Sequence, residues 1–128
     1  MPTSSQFVIL LAEDDQLVRN VVRTTLTNAG YVVLDATDGA HALEVSRAYD
    51  GWIHVLLTDV IMPNMDGLEL SNHITRERPG IKVLVMSGKP SGESLAVGLS
   101  MQFLRKPFLP KTLRERLSAM LAGNSPPS

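Results

Sequence analysis

A chain of 128 residues, 44% of them hydrophobic, has the size and apolar content of one domain with a core that needs no covalent staples. It contains no cysteine, which excludes a disulfide scaffold, thiol catalysis and Cys-based zinc sites, and fits a reducing compartment. Twelve basic residues against 13 acidic ones, a net charge of −1, leave no basic stripe for direct nucleic-acid binding. The apolar run Phe7–Ala12 is too short to cross a bilayer and no basic segment precedes it. Neither a signal peptide nor membrane insertion is therefore expected, and the protein reads as soluble and cytoplasmic.

In chain order, residues 1–5 and 123–128 read as flexible ends, leaving residues 6–122 as the domain; the tail Gly-Asn-Ser-Pro-Pro-Ser has little to bury. Phe7–Ala12 is apolar on both faces, as a buried strand requires. Asp15 is placed to cap a helix over about 16–28, with Val18, Val22 and Leu26 together with Val21 and Thr25 as its one buried stripe and Gly30 as its stop. Tyr31–Leu34 is a short second strand, and Asp38-Gly39 opens a helix that ends near 49–51. Ile53–Thr58 is a third strand that runs directly onto Asp59. A loop over 60–67 and a helix over about 68–77 follow, broken by Pro79-Gly80, before a fourth strand at Ile81–Met86. Three glycines and a proline within 88–100 allow at most a short helix there. Met101–Arg105 is the fifth strand, and a last helix runs from Leu109 or Pro110 to Leu121 with Leu113, Leu117, Met120 and Leu121 on one face. Five βα units of this kind predict an α/β fold with a doubly wound parallel sheet.

Ligands of open α/β sheets bind outside the carboxyl ends of the strands. The first strand ends on Glu13, Asp14 and Asp15, the third on Asp59, the fourth on Ser87 and the fifth on Lys106. Carboxylates gathered this closely repel one another, and a hard divalent cation such as Mg²⁺, which takes oxygen ligands, resolves that conflict. Lys106 adds a compact positive charge, Ser87 a hydroxyl donor, and an Asp carboxylate is itself a competent nucleophile toward phosphorus. In-line phosphoryl transfer needs positioning and charge neutralisation more than covalent machinery.

The chain resembles the receiver domain of two-component response regulators over essentially its whole folded length. The resemblance is carried by Glu13-Asp14-Asp15, by Thr58-Asp59-Val60-Ile61-Met62-Pro63-Asn64-Met65-Asp66-Gly67, by Val85-Met86-Ser87-Gly88 and by Arg105-Lys106-Pro107-Phe108. It implies a flavodoxin-like three-layer sandwich with strand order 2-1-3-4-5. It also implies that Asp59 accepts a phosphoryl group from a histidine kinase or histidine phosphotransfer protein. Mg²⁺, with Mn²⁺ as a substitute, would be held by Glu13, Asp14, Asp59 and the backbone carbonyl of Ile61. Ser87 and Lys106 would contact the phosphoryl group, Ser87 and Phe103 would form the conformational switch, and the Lys106–Pro107 bond would be cis. The implied role is a signalling phosphoacceptor that catalyses only its own phosphorylation and dephosphorylation. The wording around Asp59 and Lys106 looks like that of receivers attached to hybrid histidine kinases.

Two departures stand out. The interval from Ser87 to Lys106 is about three residues shorter than the family pattern, which puts the usual output face in doubt. Ile61, two residues after Asp59, and Lys89, two after Ser87, flank the expected path of an attacking water; apolar Ile61 cannot orient it, so a long-lived acyl phosphate is expected. A phosphohydrolase resembling haloacid dehalogenases would carry a second Asp where Ile61 stands. Asp66 reads as a cap, Met62 and Met65 as loop packing, and His41, His54 and His73 as bystanders without ligand spacing. Trp52 is expected to pack at the far end of the sheet.

Overall fold

The computed structural model describes residues 6–89 and 101–122. Its strands are β1 (Val8–Ala12), β2 (Val32–Ala36), β3 (Val55–Asp59), β4 (Lys82–Ser87) and β5 (Gln102–Arg105). They form one parallel sheet in the order β2-β1-β3-β4-β5. The helices among the described residues are α1 (Gln16–Asn28), α2 (Gly39–Ala48), α3 (Gly67–Glu77) and α4 (Pro110–Leu121). The short helix considered for 88–100 and the shortened interval fall on residues 90–100, outside those described. So do the two chain ends.

Strand periodicity divides the core into two layers. Ile9 and Leu11 of β1, with Val55, Leu57, Leu84 and Met86, pack against Val22 and Leu26 of α1 and Leu113 and Leu117 of α4. Leu10 and Ala12, with Leu56, face the other way onto Ala42 and Leu43 of α2 and Leu70 and Ile74 of α3. Successive side chains on a strand alternate faces, so a run apolar at every position must be covered twice. The chain thus forms the expected α/α-flanked, three-layer, flavodoxin-like sandwich.

Three aspartates set helix starts through the same contact. Asp15 Oδ1 accepts from the backbone N–H groups of Leu17 and Val18 at 2.9 and 3.1 Å. Asp38 Oδ1 accepts from His41 N–H, and Asp66 Oδ1 from Glu69 N–H, each at 2.8 Å. Each satisfies a donor that the first helical turn would leave unpaired.

Several expectations shift. β2 runs on to Ala36, because this edge strand is only half-buried and its ladder with β1 continues through Leu11↔Asp35 and Ala12↔Ala36. β3 begins at Val55, two residues later than read. Val21, expected within the buried α1 stripe, is instead 59% exposed, because it lies on the side of the helix away from the sheet. Trp52 lies at the far end of the sheet, but it is 65% exposed instead of packed. His54 is no bystander: its Nδ1 accepts from Val8 N–H at 2.9 Å, its ring stands edge-on to Phe7, and its buried Nε2 has no partner among the described residues. Met62 and Met65 do pack, against the α2–α3 layer.

At that same end, Arg78, just past α3, donates to Ser46 Oγ at 2.8 Å, to the carbonyls of Ser46 and Tyr49 at 2.7 Å, and to that of Gly51 at 2.9 Å. It ties the end of α2 and the loop after it to the end of α3.

Candidate functional site

The sheet register brings the carboxyl ends of four strands together. Ala12 pairs with Thr58, which puts the next residues, Glu13 and Asp59, side by side. Asp59 pairs with Met86, one residue before Ser87, and Ser87 pairs with Arg105, one before Lys106. Residues far apart in the chain are thus brought side by side by the parallel ladder.

Lys106 Nζ stands at the centre. It lies 2.7 Å from Glu13 Oε1 and 2.8 and 2.9 Å from the two carboxylate oxygens of Asp59. Glu13 and Asp59 are both buried, whereas Asp14 is exposed. One carboxylate oxygen from each of Glu13, Asp14 and Asp59 lies within 4.8 Å of the others, a spacing at which a single ion can bridge them.

One ammonium does not neutralise this cluster. Burial, reinforced by the neighbouring Glu13, pushes Asp59 up to about 8 despite the Lys106 charge beside it. Burial pulls Glu13 upward as well, but hydrogen bonds from Asp59, Lys106 and the Asp15 N–H outweigh it and hold Glu13 below its ordinary value. Burial opposes the Lys106 charge, but Asp59 and Glu13 more than compensate and raise its pKa, so it remains a cation. A proton on Asp59 is what the protein alone can supply to a charge-deficient site. A divalent cation would take its place, and the all-oxygen donor set suits a hard ion.

Backbone contacts fix the acidic residues. The N–H of Glu13 donates to Ala36 O at 3.1 Å, and the N–H of Asp15 donates to Glu13 Oε2 at 3.1 Å. Thr58 Oγ1 donates to Asp59 O at 2.9 Å. Gly67 presses directly on Asp59: a Cβ there would sit 1.8 Å from Asp59 O, and its N–H donates to Val60 O at 2.8 Å. Asn64, in the left-handed region at φ 71°, clips the β3–α3 loop to α2 through Nδ2 to Asp38 Oδ2 at 3.0 Å. The sequence motif contained Asn64 and Gly67 but gave them no role in the site, since Asn64 acts through a side chain 26 residues earlier and Gly67 through a main-chain oxygen.

Ile61 is 57% exposed on that loop. Ser87 is buried, and its Oγ accepts from Lys89 N–H at 3.0 Å. Phe103 is half-buried and packs with Met101 and Leu68 against Val60 and Val85; its carbonyl accepts from Arg116. The Lys106–Pro107 peptide bond is cis. The structure therefore gathers Glu13, Asp14, Asp59 and Lys106 directly, sets Ser87 one residue along the ladder, and leaves Phe103 two strand residues below Lys106's turn.

A family model described as "Response regulator receiver domain" matches residues 9–118. The chain is 33% identical over 121 residues to the sensor kinase CckA of Brucella abortus, covering 92% of this chain and 13% of that protein. It is 34% identical over 122 residues to the response regulator MprA of Mycobacterium leprae, covering 92% of this chain and 52% of that one. The chain thus spans about half the length, or less, of these relatives. Among solved structures, the receiver domain of the hybrid histidine kinase CckA superposes with a TM-score of 0.77 at 37% identity, covering 89% of this chain and 98% of that one. The chemotaxis response regulator CheY4 of Vibrio cholerae superposes with a TM-score of 0.81 at 30% identity, covering 91% and 99%. With the sheet order, the acidic cluster and these likenesses together, the chain belongs to the response regulator receiver domain family, the phosphoacceptor modules of two-component signalling.

Proposed function

We propose that Asp59 is the phosphoacceptor of this receiver and that Glu13, Asp14, Asp59 and the Ile61 carbonyl hold the Mg²⁺ it needs, with Mn²⁺ able to substitute. The observation that carries this reading is the burial of Asp59 between Glu13 and Lys106 at the end of β3, with its pKa raised to about 8. Bound there, the cation supplies charge neutralisation for the carboxylates and for the phosphoryl oxygens.

In the reaction, a carboxylate oxygen of Asp59 forms a bond to phosphorus as the P–N bond of a phosphohistidine breaks. The electron pair of that bond returns to the donor's imidazole nitrogen, which then takes up a proton. Lys106 already touches Asp59 and stays beside it to meet a phosphoryl oxygen. Ser87 would turn its hydroxyl from Lys89 to another phosphoryl oxygen, and the strand movement would open room for Phe103, a local charge event with a distant readout.

The donor is a histidine kinase or a histidine phosphotransfer protein, in the cytoplasm, and the domain comprises residues 6–122. The protein turns over no foreign substrate; it regulates a partner or an attached output or kinase module. Exposed, apolar Ile61 leaves an attacking water without a polar guide, which makes the acyl phosphate long-lived. An unchanged hydrolysis rate in Ile61→Asn would contradict that last point.

The test is intact mass after incubation with acetyl phosphate. The expected result is one added phosphoryl group on wild type, dependent on Mg²⁺ and absent from Asp59→Asn. No adduct under conditions that label another receiver would turn the reading toward a pure interaction module.

A further inference from the structure

Every polar group of Glu13 is held. Its N–H meets Ala36 O, and its two carboxylate oxygens meet Lys106 Nζ and Asp15 N–H. The remaining group, its carbonyl, accepts from Arg19 Nη1 at 2.8 Å. Arg19 lies on α1, its side chain only 13% exposed, and its Nε faces Asp35 Oδ2 at 3.7 Å. Asp35 sits near the end of β2 and also faces Arg23 at 3.9 Å. One guanidinium therefore braces the turn after β1 against α1 and β2 together.

The braced carbonyl belongs to the peptide that joins Glu13 to Asp14. A peptide unit is planar, so fixing the direction of its C=O also fixes the N–H and Cα of Asp14. This matters because Asp14 is exposed, and among the described residues no hydrogen bond or ion pair holds its side chain. The place of its carboxylate depends on its backbone alone.

We propose that Arg19 is a positioning residue for the metal site: its bond to the Glu13 carbonyl, anchored by Asp35, sets the Glu13–Asp14 peptide and keeps the Asp14 carboxylate within reach of the ion shared with Glu13 and Asp59. The inference rests on the Mg²⁺ reading above. Sequence alone offered no sign of it, because the contact joins a helical side chain to a main-chain oxygen six residues earlier.

Two physical effects of removing Arg19 have opposite signs. A cation near the cluster repels a divalent ion, so losing its charge alone would tighten binding. Losing the brace frees the peptide and weakens binding. The sign of the change separates them.

The experiment measures binding of Mn²⁺ to the full chain by the loss of the free-ion electron paramagnetic resonance signal, with Mg²⁺ as competitor. Arg19→Gln is expected to weaken binding about ten-fold, the lower end of what outer-layer partners of metal sites contribute. Arg19→Lys, which keeps the charge without the two-armed fork, recovers part of that loss. Asp35→Asn, which leaves Arg19 in place and loosens its anchor, weakens binding by a smaller factor and keeps the test valid where Arg19→Gln does not fold. Urea unfolding without metal ions separates these effects from general stability. Unchanged or tighter binding in folded Arg19→Gln, or unchanged binding in Asp35→Asn where Arg19→Gln does not fold, overturns the inference. Absence of any ion binding by wild type overturns the metal reading itself, and this inference with it.

Discussion

At the amino end of the sheet, Arg78 is surrounded by acceptors: one hydroxyl and three carbonyls take its N–H groups within 2.9 Å. At the carboxyl end, Lys106 is outnumbered: two buried carboxylates share it, with a third close by. The first cation is saturated by neutral dipoles and joins helix ends. The second leaves a charge deficit that the fold itself does not relieve, and a group held in such tension is available for chemistry. Stability and reactivity are thus separated along the strand direction.

Breaking each cation should give opposite signatures. Arg78→Met leaves four acceptors without their donor and should destabilise the domain by about 3 kcal/mol in urea unfolding, while Mg²⁺-dependent phosphorylation persists in the folded fraction. Lys106→Met should abolish or severely slow phosphorylation with a smaller change in stability, because Asp59 can answer the loss by keeping its proton. If Arg78→Met lost labelling while fully folded, the separation of the two ends would be wrong.

A backbone contact at the reactive end sharpens the point. Gly67→Ala places a methyl against Asp59 O, a main-chain atom that cannot swing aside. A loss of about 2–3 kcal/mol is expected, with slowed phosphorylation as the acceptor is displaced. Both follow from one clash, so they should appear together.

The charge deficit also predicts a pH signature. Asp59 keeps its proton in the folded protein up to about pH 8, whereas the unfolded chain releases it near the ordinary aspartate value of 3.8. The folded state therefore binds more protons between those values, and this group's contribution to stability declines as pH rises through that window. Asp59→Asn lacks the decline. Without divalent ions its stability relative to wild type should grow steadily between pH 5 and pH 8 and level off above that. Mg²⁺ affinity of wild type should rise across the same range, since the ion displaces the proton.

The smallest effect belongs to the amino end. Burial lowers the His54 pKa, and its Nδ1 already accepts the Val8 N–H, so protonation would break the tether. Wild type should lose stability as pH falls below the ordinary imidazole value of 6.5. His54→Gln should lessen that slope; an unchanged slope between pH 7 and 5 would remove His54 from the account.

What the sequence made legible was whatever is local or periodic. Asp15 and the following stripe fixed α1 at Gln16–Asn28, and strands apolar on both faces announced a buried parallel sheet. Glu13, Asp14, Asp59, Ser87 and Lys106 were found because a parallel ladder lines up strand ends, so reading the residue after each strand reads the site. β2 was cut short because an edge strand shows no burial rhythm. Arg19, Arg78, His54 and the clash at Gly67 were missed for a common reason: each acts on main-chain atoms, and such contacts leave no pattern in side-chain identity.

The most direct test of the central claim is to place the phosphoryl group on a single residue. After labelling with acetyl phosphate and Mg²⁺, borohydride reduction converts an aspartyl phosphate to homoserine, and tandem mass spectrometry of the peptide containing β3 reads its position. Homoserine at Asp59 alone is the predicted result. Homoserine at Asp14 or Asp66, or none at all in a protein that binds Mg²⁺, would contradict the assignment of Asp59 as the acceptor.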